Sequence, residues 1–387
     1  MRKSCDYAIL FATLILVAFG TVMVFSASFY AAQNTANISD AYYFFRKQVF
    51  GAVLGLGAMI FMMNFKYTFI KKFKWPAALV SIVLLTLVLF MGTDANGATR
   101  WLNIAGFSVQ PSEIAKLGLV VFMAAHMDSN KEAIRPFMSK SGRKHIRRDS
   151  AGKAEFRRFL IVLLPMLAVM GIMAVLILEQ PNMSTAVNLV LVAMVMMFVG
   201  GISIVYLSGF TVVGAIGVVV LAFAESYRVK RMLSFTNPWA DPQDTGYQLI
   251  QSLLARGSGG FGGVGFGQSS QKYLWLPYRE SDFIYAIIGE ELGFIGGVLL
   301  LTLYLFVIWR GIKVAFAAPD MFGMLLAIGI TAVLSIQVIL NVAVVTGLMP
   351  TTGLPLPFIS YGSSSLVISM ASMGILLNIS RYSKAAT

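Results

Sequence analysis

Long apolar runs recur along the chain, and their length limits what it can become. A helix that crosses a bilayer needs roughly 20 consecutive apolar residues. Ten stretches of this kind are present, over 7–28, 47–64, 76–92, 111–127, 159–178, 183–200, 204–224, 282–309, 322–346 and 361–380. Of the 387 residues 58% are hydrophobic and 12% charged, about half the charged share of a soluble domain. A soluble core cannot hide that much apolar surface, but lipid can. The pattern predicts an all-α polytopic membrane protein of about ten transmembrane helices, a single domain over 1–387. No internal repeat is evident, which weighs against an inverted-repeat transporter. The run Tyr7–Ser28 follows a basic start but is too long for a signal-peptide core, and it reads as a retained first helix.

The connections between runs carry most of the charge. The chain is formally +13, which in a soluble protein would raise nucleic acid as a partner. Here the basic residues set topology instead, and no nucleic acid is expected. With the N-terminus inside, 20 Lys and Arg fall in inner connections, nine in outer ones, and Lys116 within a span. Both termini are then cytoplasmic. The segment 128–158 becomes a basic cytoplasmic loop, either a solvated topology signal or a contact for anionic lipid or a cytoplasmic partner. The segment 225–281 becomes a large extracytoplasmic loop between helices 7 and 8. A structureless loop of that length is unusual, so short or re-entrant helices are expected there. The outer connection Gly347–Ser360 has no charge and three prolines, and predicts backbone that lines a cavity.

Ionisable residues inside a membrane mark functional sites by default. Glu113 and Lys116 are such a pair, three residues apart behind Pro111 and so on one helix face. They read either as a structural ion pair or as part of a cavity. Asp282 lies where the long outer loop meets the eighth run. It could cap that helix, or act as a general base toward a sugar hydroxyl. A helix terminus would tend to lower its pKa. Glu290, eight residues on, could share its face, with Glu291 beside it, and a hydrogen-bonded structural role for both glutamates is the other reading. The run Gly257–Gly267 is rich in glycine but follows no strand and lacks a G-K-[ST], which excludes a Rossmann site and a P-loop. It could bring backbone amides to a lipid pyrophosphate, flanked by Arg256 and Lys272, or be a flexible turn. His126 and His145 lack partners at metal-ligand spacing, so no zinc site is expected. The single cysteine, Cys5, excludes an internal disulfide.

Several of these residues fall in an order that resembles the SEDS family of bacterial cell-wall glycosyltransferases, the family of FtsW, RodA and SpoVE. The matching stretches begin with Arg100-Trp101 and Gln110-Pro111-Ser112-Glu113, then Asn237-Pro238-Trp239 with Asp241-Pro242, and Gly246-Tyr247-Gln248. The glycine-rich run with Gln268 follows, then Leu276-Pro277, Asp282-Phe283-Ile284 and Glu290-Glu291-Leu292-Gly293. The series closes on Gly353–Gly362, which includes Ser360. The Asn-Pro-Trp and Gly-Leu-Pro-Leu-Pro segments look closer to the FtsW and SpoVE branch than to RodA. Tyr278 stands where the family usually has Glu, Ser281 where it has Thr, and Ser363 where it has Gly.

The resemblance implies polymerisation of lipid II into glycan strands outside the cytoplasmic membrane, with release of undecaprenyl pyrophosphate. It implies a class B penicillin-binding protein as transpeptidase partner, in a division or sporulation assembly, and a divalent cation, magnesium or manganese. Asp282 takes the family's catalytic position as general base and could ligate the cation. Glu113 and Lys116 lie near a central cavity. Arg100, Trp101, Arg256, Gln268, Lys272, Glu290 and Ser360 are candidates for holding substrate. A lipid II flippase and a scaffold that only recruits the transpeptidase are the competing readings.

Overall fold

The computed structural model describes residues 4–34, 40–95, 98–104, 107–138, 159–224, 226–273 and 275–383. Residues 139–158 of the basic loop, with His145, lie outside these. The chain runs through α1 (Tyr7–Asn34), α2 (Tyr43–Asn64), the short α3 (Tyr67–Ile70) and α4 (Lys74–Met91). Next come β1 (Thr93–Ala95), β2 (Ala98–Ile104) and β3 (Phe107–Val109), then α5 (Pro111–Ser129) and α6 (Lys131–Met138). A π turn over Phe159–Leu163 leads into α7 (Leu164–Leu178), followed by α8 (Met183–Val199) and α9 (Ile204–Ala224). The long outer connection contributes α10 (Ser226–Thr236) and α11 (Tyr247–Gly259), so it holds short helices as expected. The chain closes with α12 (Ile284–Glu291), α13 (Gly293–Phe316), α14 (Met321–Val345) and α15 (Ser363–Ser380).

Polar residues at the boundaries start several of these helices. Asp6 Oδ1 accepts from the amides of Ala8 (3.1 Å) and Ile9 (3.2 Å) ahead of α1. Asn182 caps α8 and Asp320 caps α14. Pro111 opens α5, where its missing N–H leaves no bond unmade.

Among the described residues seven helical segments are long and apolar enough to cross a membrane, and the apolar stretches Met183–Val199 and Ile204–Val220 are shorter. The remaining predicted run, 111–127, is α5. It carries Glu113, Lys116 and Asp128 and is buried along nearly its whole length, between α4, α8, α14 and α15. Close approach of α2 and α15 depends on absent side chains: a Cβ on Gly51 would stand 2.9 Å from Ser363 Cα, and one on Gly374 2.4 Å from the Met59 carbonyl.

One predicted span is displaced. The run 282–309 is two helices, broken where Gly293 adopts φ +67°. The apolar residues Ile284–Ile288 of α12 are buried in protein, which is why they read like a lipid-facing segment. The membrane-length helix is Gly293–Phe316, so Asp282 and Glu290 precede the span. The small antiparallel sheet β1-β2-β3 was also not foreseen, because its strands are too short to show a period.

Contacts between connections sort by side. Arg310 pairs with Asp6 (2.6 Å), Lys71 pairs with Asp128, and Tyr67 donates to Asp320 (2.7 Å) while its amide donates to Asn378 (3.0 Å). All of these residues lie at the end assigned to the cytoplasm. The residues around Asp282 gather at the other end. This partition is the one that alternating spans require.

Candidate active site

Asp282 lies in a tight turn ahead of α12. Tyr278 enters the turn with φ +54°, and its carbonyl accepts from the amides of Ser281 (3.1 Å) and Phe283 (3.2 Å). The proline-rich loop 347–362 clamps the turn from the far side. The Tyr361 amide donates to the Glu280 carbonyl (2.8 Å). Ser360 Oγ donates to the Ser281 carbonyl (2.6 Å) and accepts from the Leu356 amide (2.7 Å). Gln48 Nε2, from α2, holds the Ser360 carbonyl (3.3 Å). Ser360 thus braces the turn that carries Asp282.

The capping role open to Asp282 in the sequence is not taken up. Phe283 occupies the N-cap position of α12, with no side-chain cap bond. The Asp282 carboxylate turns instead toward Gly353: a Cβ there would stand 3.3 Å from Asp282 Oδ2 and 3.7 Å from Arg100 Nη1. Asp282 keeps a partly accessible edge while protein packs densely around it. Burial pushes its carboxyl up from 3.8 to about 7, against the opposing pull of Arg100, with Glu280 raising it further and Arg231 lowering it. The sequence predicted a lowered value from the helix terminus. Desolvation reverses the sign, because the helix amides do not reach the carboxylate.

Arg100 owes its aim to a β-bulge. Thr99 pairs with Asp94 and Trp101 with Thr93, so Arg100 is the extra residue of β2. Its guanidinium donates to the carbonyls of Gln180 (3.1 Å) and Pro181. Trp101 is half-buried on the same strand. Arg231, on α10, is exposed and adds a second cation to the field at Asp282. No sequence signal marks Arg231, because α10 lies inside a long connection whose shape no linear pattern gives.

Glu113 and Lys116 form a buried ion pair of 2.8 Å. Lys116 Nζ also donates to Gln337 Oε1 (2.7 Å), and Gln337 Nε2 donates to the Pro355 carbonyl (2.8 Å). These three side chains line a cleft whose other walls are mostly apolar, among them Val120, Leu334 and Phe358. One turn along α14, Asn341 Nδ2 donates to the carbonyls of Asp282 (2.8 Å) and Leu354 (2.7 Å). Gln337 and Asn341 were not singled out from the sequence. Two amides four apart inside an apolar run were the available signal.

The remaining candidates are placed elsewhere. Glu290 turns away from Asp282 and accepts from Ser269 Oγ, from Ser270 N (2.9 Å) and Oγ (2.8 Å), and from Gln271 N (3.4 Å). Lys272 is buried against Glu291 (3.3 Å) and the Gly267 carbonyl, while Ser26 Oγ also donates to Glu291 (2.7 Å). A lysine so engaged is not presented to a pyrophosphate. Arg256 packs its aliphatic stem beside Gly289. Gln268 is exposed on the loop. The glycine run is packed in part and open in part, with nothing within 4 Å of a Cβ placed on Gly257, Gly260 or Gly262. Its later part lies against backbone: a Cβ on Gly263 (φ +81°) would stand 2.2 Å from the Glu291 carbonyl, and the Gly265 amide donates to that same oxygen (3.1 Å). Among the described residues no group of three or more His, Cys, Asp or Glu could hold a metal ion.

Comparison with known proteins places this geometry. The family profile described as a cell cycle protein, covering FtsW, RodA and SpoVE, matches residues 7–385. A probable peptidoglycan glycosyltransferase FtsW of Geobacter sp. (strain M18) is 39% identical over 383 residues, 98% of each chain. Stage V sporulation protein E of Bacillus subtilis (strain 168) is 39% identical over 385 residues, 99% of each chain. Among solved structures, a chain from work on the structural coordination of polymerization and crosslinking by a peptidoglycan synthase complex superposes with TM-score 0.74 at 26% identity, covering 97% of this chain and 98% of that one. Thermus thermophilus RodA superposes with TM-score 0.66 at 27% identity, covering 97% of each chain. The chain is therefore a multi-pass membrane protein that belongs to the FtsW, RodA and SpoVE family.

Proposed function

We propose that this protein is a peptidoglycan glycosyltransferase and that the Asp282 turn is its catalytic centre. The carrying observation is the Asp282 carboxylate, desolvated so that it titrates near 7, next to a bulge-aimed arginine. A general base works best when its pKa lies near the operating pH. Asp282 takes the proton from the 4-hydroxyl of the acceptor sugar as that oxygen attacks the anomeric carbon of the donor. The bond to the lipid diphosphate breaks, and undecaprenyl pyrophosphate leaves. The guanidiniums of Arg100 and Arg231 supply positive charge where the diphosphate develops negative charge.

A divalent cation fits this donor set only in one way. Asp282 is a carboxylate with no hydrogen-bond donor among the described residues, and Glu280 lies in its field. Magnesium is commonly held by one or two carboxylates with substrate phosphates completing its shell. Asp282, with Glu280 nearby, would hold it, and the bound ion would neutralise charge on the leaving group.

Several features support an enzyme over a flippase. The polar groups gather at the outer end, while Leu119, Val120, Val121, Phe122 and Met123 of α5 fill the interior below the ion pair. A transport path for a sugar-phosphate would need polar groups through that region. The likeness to a peptidoglycan synthase complex supports a crosslinking partner, which we identify as a class B penicillin-binding protein in division or sporulation.

The test is purified protein with its transpeptidase partner and lipid II in detergent, with glycan chains resolved on a gel. Polymer formed without a bilayer supports the enzyme and excludes a function in transport alone. Polymer undiminished by Asp282→Asn overturns the assignment of the base. A chelator arm tests the cation.

A further inference from the structure

We infer that Asn341 and Gln337 are positioning residues for the glycosyl transfer, two rungs by which α14 sets the height and orientation of the Asp282 turn. The inference rests on the function proposed above. Both side chains are about 2% exposed and lie four residues apart, on one face of α14. Both direct their NH2 groups at the same short stretch of the proline-rich loop. Gln337 holds the Pro355 carbonyl and Asn341 the Leu354 carbonyl.

The second hydrogen of Asn341 Nδ2 goes to the backbone carbonyl of Asp282 itself. The loop and the catalytic turn are thereby fixed to one side chain. That loop also carries Gly353, against which the carboxylate lies. The amide orientation of Asn341 follows from its neighbours, because both are carbonyl oxygens and only an NH2 group can serve them. Its Oδ1 is left buried with no partner, a burden that a merely space-filling residue would not carry. At Gln337 the orientation is fixed by Lys116, whose ammonium donates to Oε1 and leaves Nε2 for Pro355.

The Glu113–Lys116 pair therefore acts on the centre through Gln337. It locks an amide that locks the loop. Neither rung touches the Asp282 carboxylate, so the effect of losing one is geometric. A displacement of about 1 Å at a reacting group can lower a rate by about 100-fold.

The experiment uses the full-length protein with its transpeptidase partner and lipid II in detergent. Variants are Asn341→Ala and Gln337→Glu, the second keeping the Lys116 contact while removing the donor to Pro355. The expected result is a kcat lower by about 10- to 100-fold with KM within about threefold of wild type. Hydrogen exchange on the same samples should show faster exchange confined to peptides covering 278–292 and 350–358. A wild-type protein that makes no polymer would refute the proposed function. A wild type that polymerises, with both variants matching it in kcat, would overturn the positioning role alone. So would a loss carried wholly by KM. If Asn341→Ala does not fold, Gln337→Glu decides by the same kcat and exchange criteria.

Discussion

Asp282 and Gly353 meet across the outer mouth of the helical bundle, the glycine leaving the space that the carboxylate occupies. A methyl group at 353 would stand 3.3 Å from Oδ2 of Asp282, with Arg100 Nη1 at 3.7 Å. Gly353→Ala should move the carboxylate by a few tenths of an ångström and lower kcat about tenfold. The melting temperature of the purified protein should stay near wild type. Polymerisation kinetics and thermal unfolding on the same preparation check both halves.

The pH dependence follows from the raised carboxyl. Glycan synthesis should rise with pH through a midpoint of about 7, as Asp282 loses its proton. The folded protein binds that proton more tightly than the unfolded chain does, so the contribution of Asp282 to stability is full below pH about 4 and is lost as pH rises through 7. Asp282→Asn should abolish polymer while melting higher than wild type at pH 8 and close to it at pH 4. Melting curves at the two pH values, beside activity at each, make the check.

Breaking the Glu113–Lys116 pair on one side should do more harm than removing both charges. Glu113→Gln leaves an ammonium buried with only Gln337 as partner. An orphaned buried charge costs about 3–5 kcal/mol. The double variant Glu113→Gln, Lys116→Met should recover much of that loss in melting temperature. It should not recover the rate, because Gln337 would no longer be held.

Lys272 and Arg100 should separate in their effects. Lys272→Met leaves Glu291 with only Ser26 and should lower stability, since hydrogen bonds to charged groups contribute about 1.5–3 kcal/mol each. KM for lipid II should not change. Arg100→Ala should raise KM and lower kcat with a smaller change in melting temperature. Steady-state kinetics compared with unfolding curves distinguish the two.

Glu290→Ala should behave as a structural lesion. It strips the acceptor from the Ser269, Ser270 and Gln271 turn. Expression and melting temperature should fall, with kcat of the folded fraction near wild type. A clean kcat defect in fully stable protein would show that Glu290 does serve the reaction.

The apolar period determined the order and approximate extent of the long apolar helices, and the basic connections predict their sidedness, because the bilayer fixes span length and loop charge in one dimension along the chain. Glu113 and Lys116 could be paired from their spacing alone, since helix geometry is local. Asp282 could be singled out by position and by resemblance, but not its basicity, which depends on what packs around it. Only the folded chain separated α12 from the span that follows it. The break requires Gly293 to meet Gly263, a contact between residues far apart in sequence. The same holds for Lys272, a candidate phosphate contact in the sequence, whose pairing with Glu291 no linear pattern shows. Arg231, Gln337 and Asn341 reached the site only through tertiary structure, because desolvation and convergence are properties of a volume and no linear pattern encodes them.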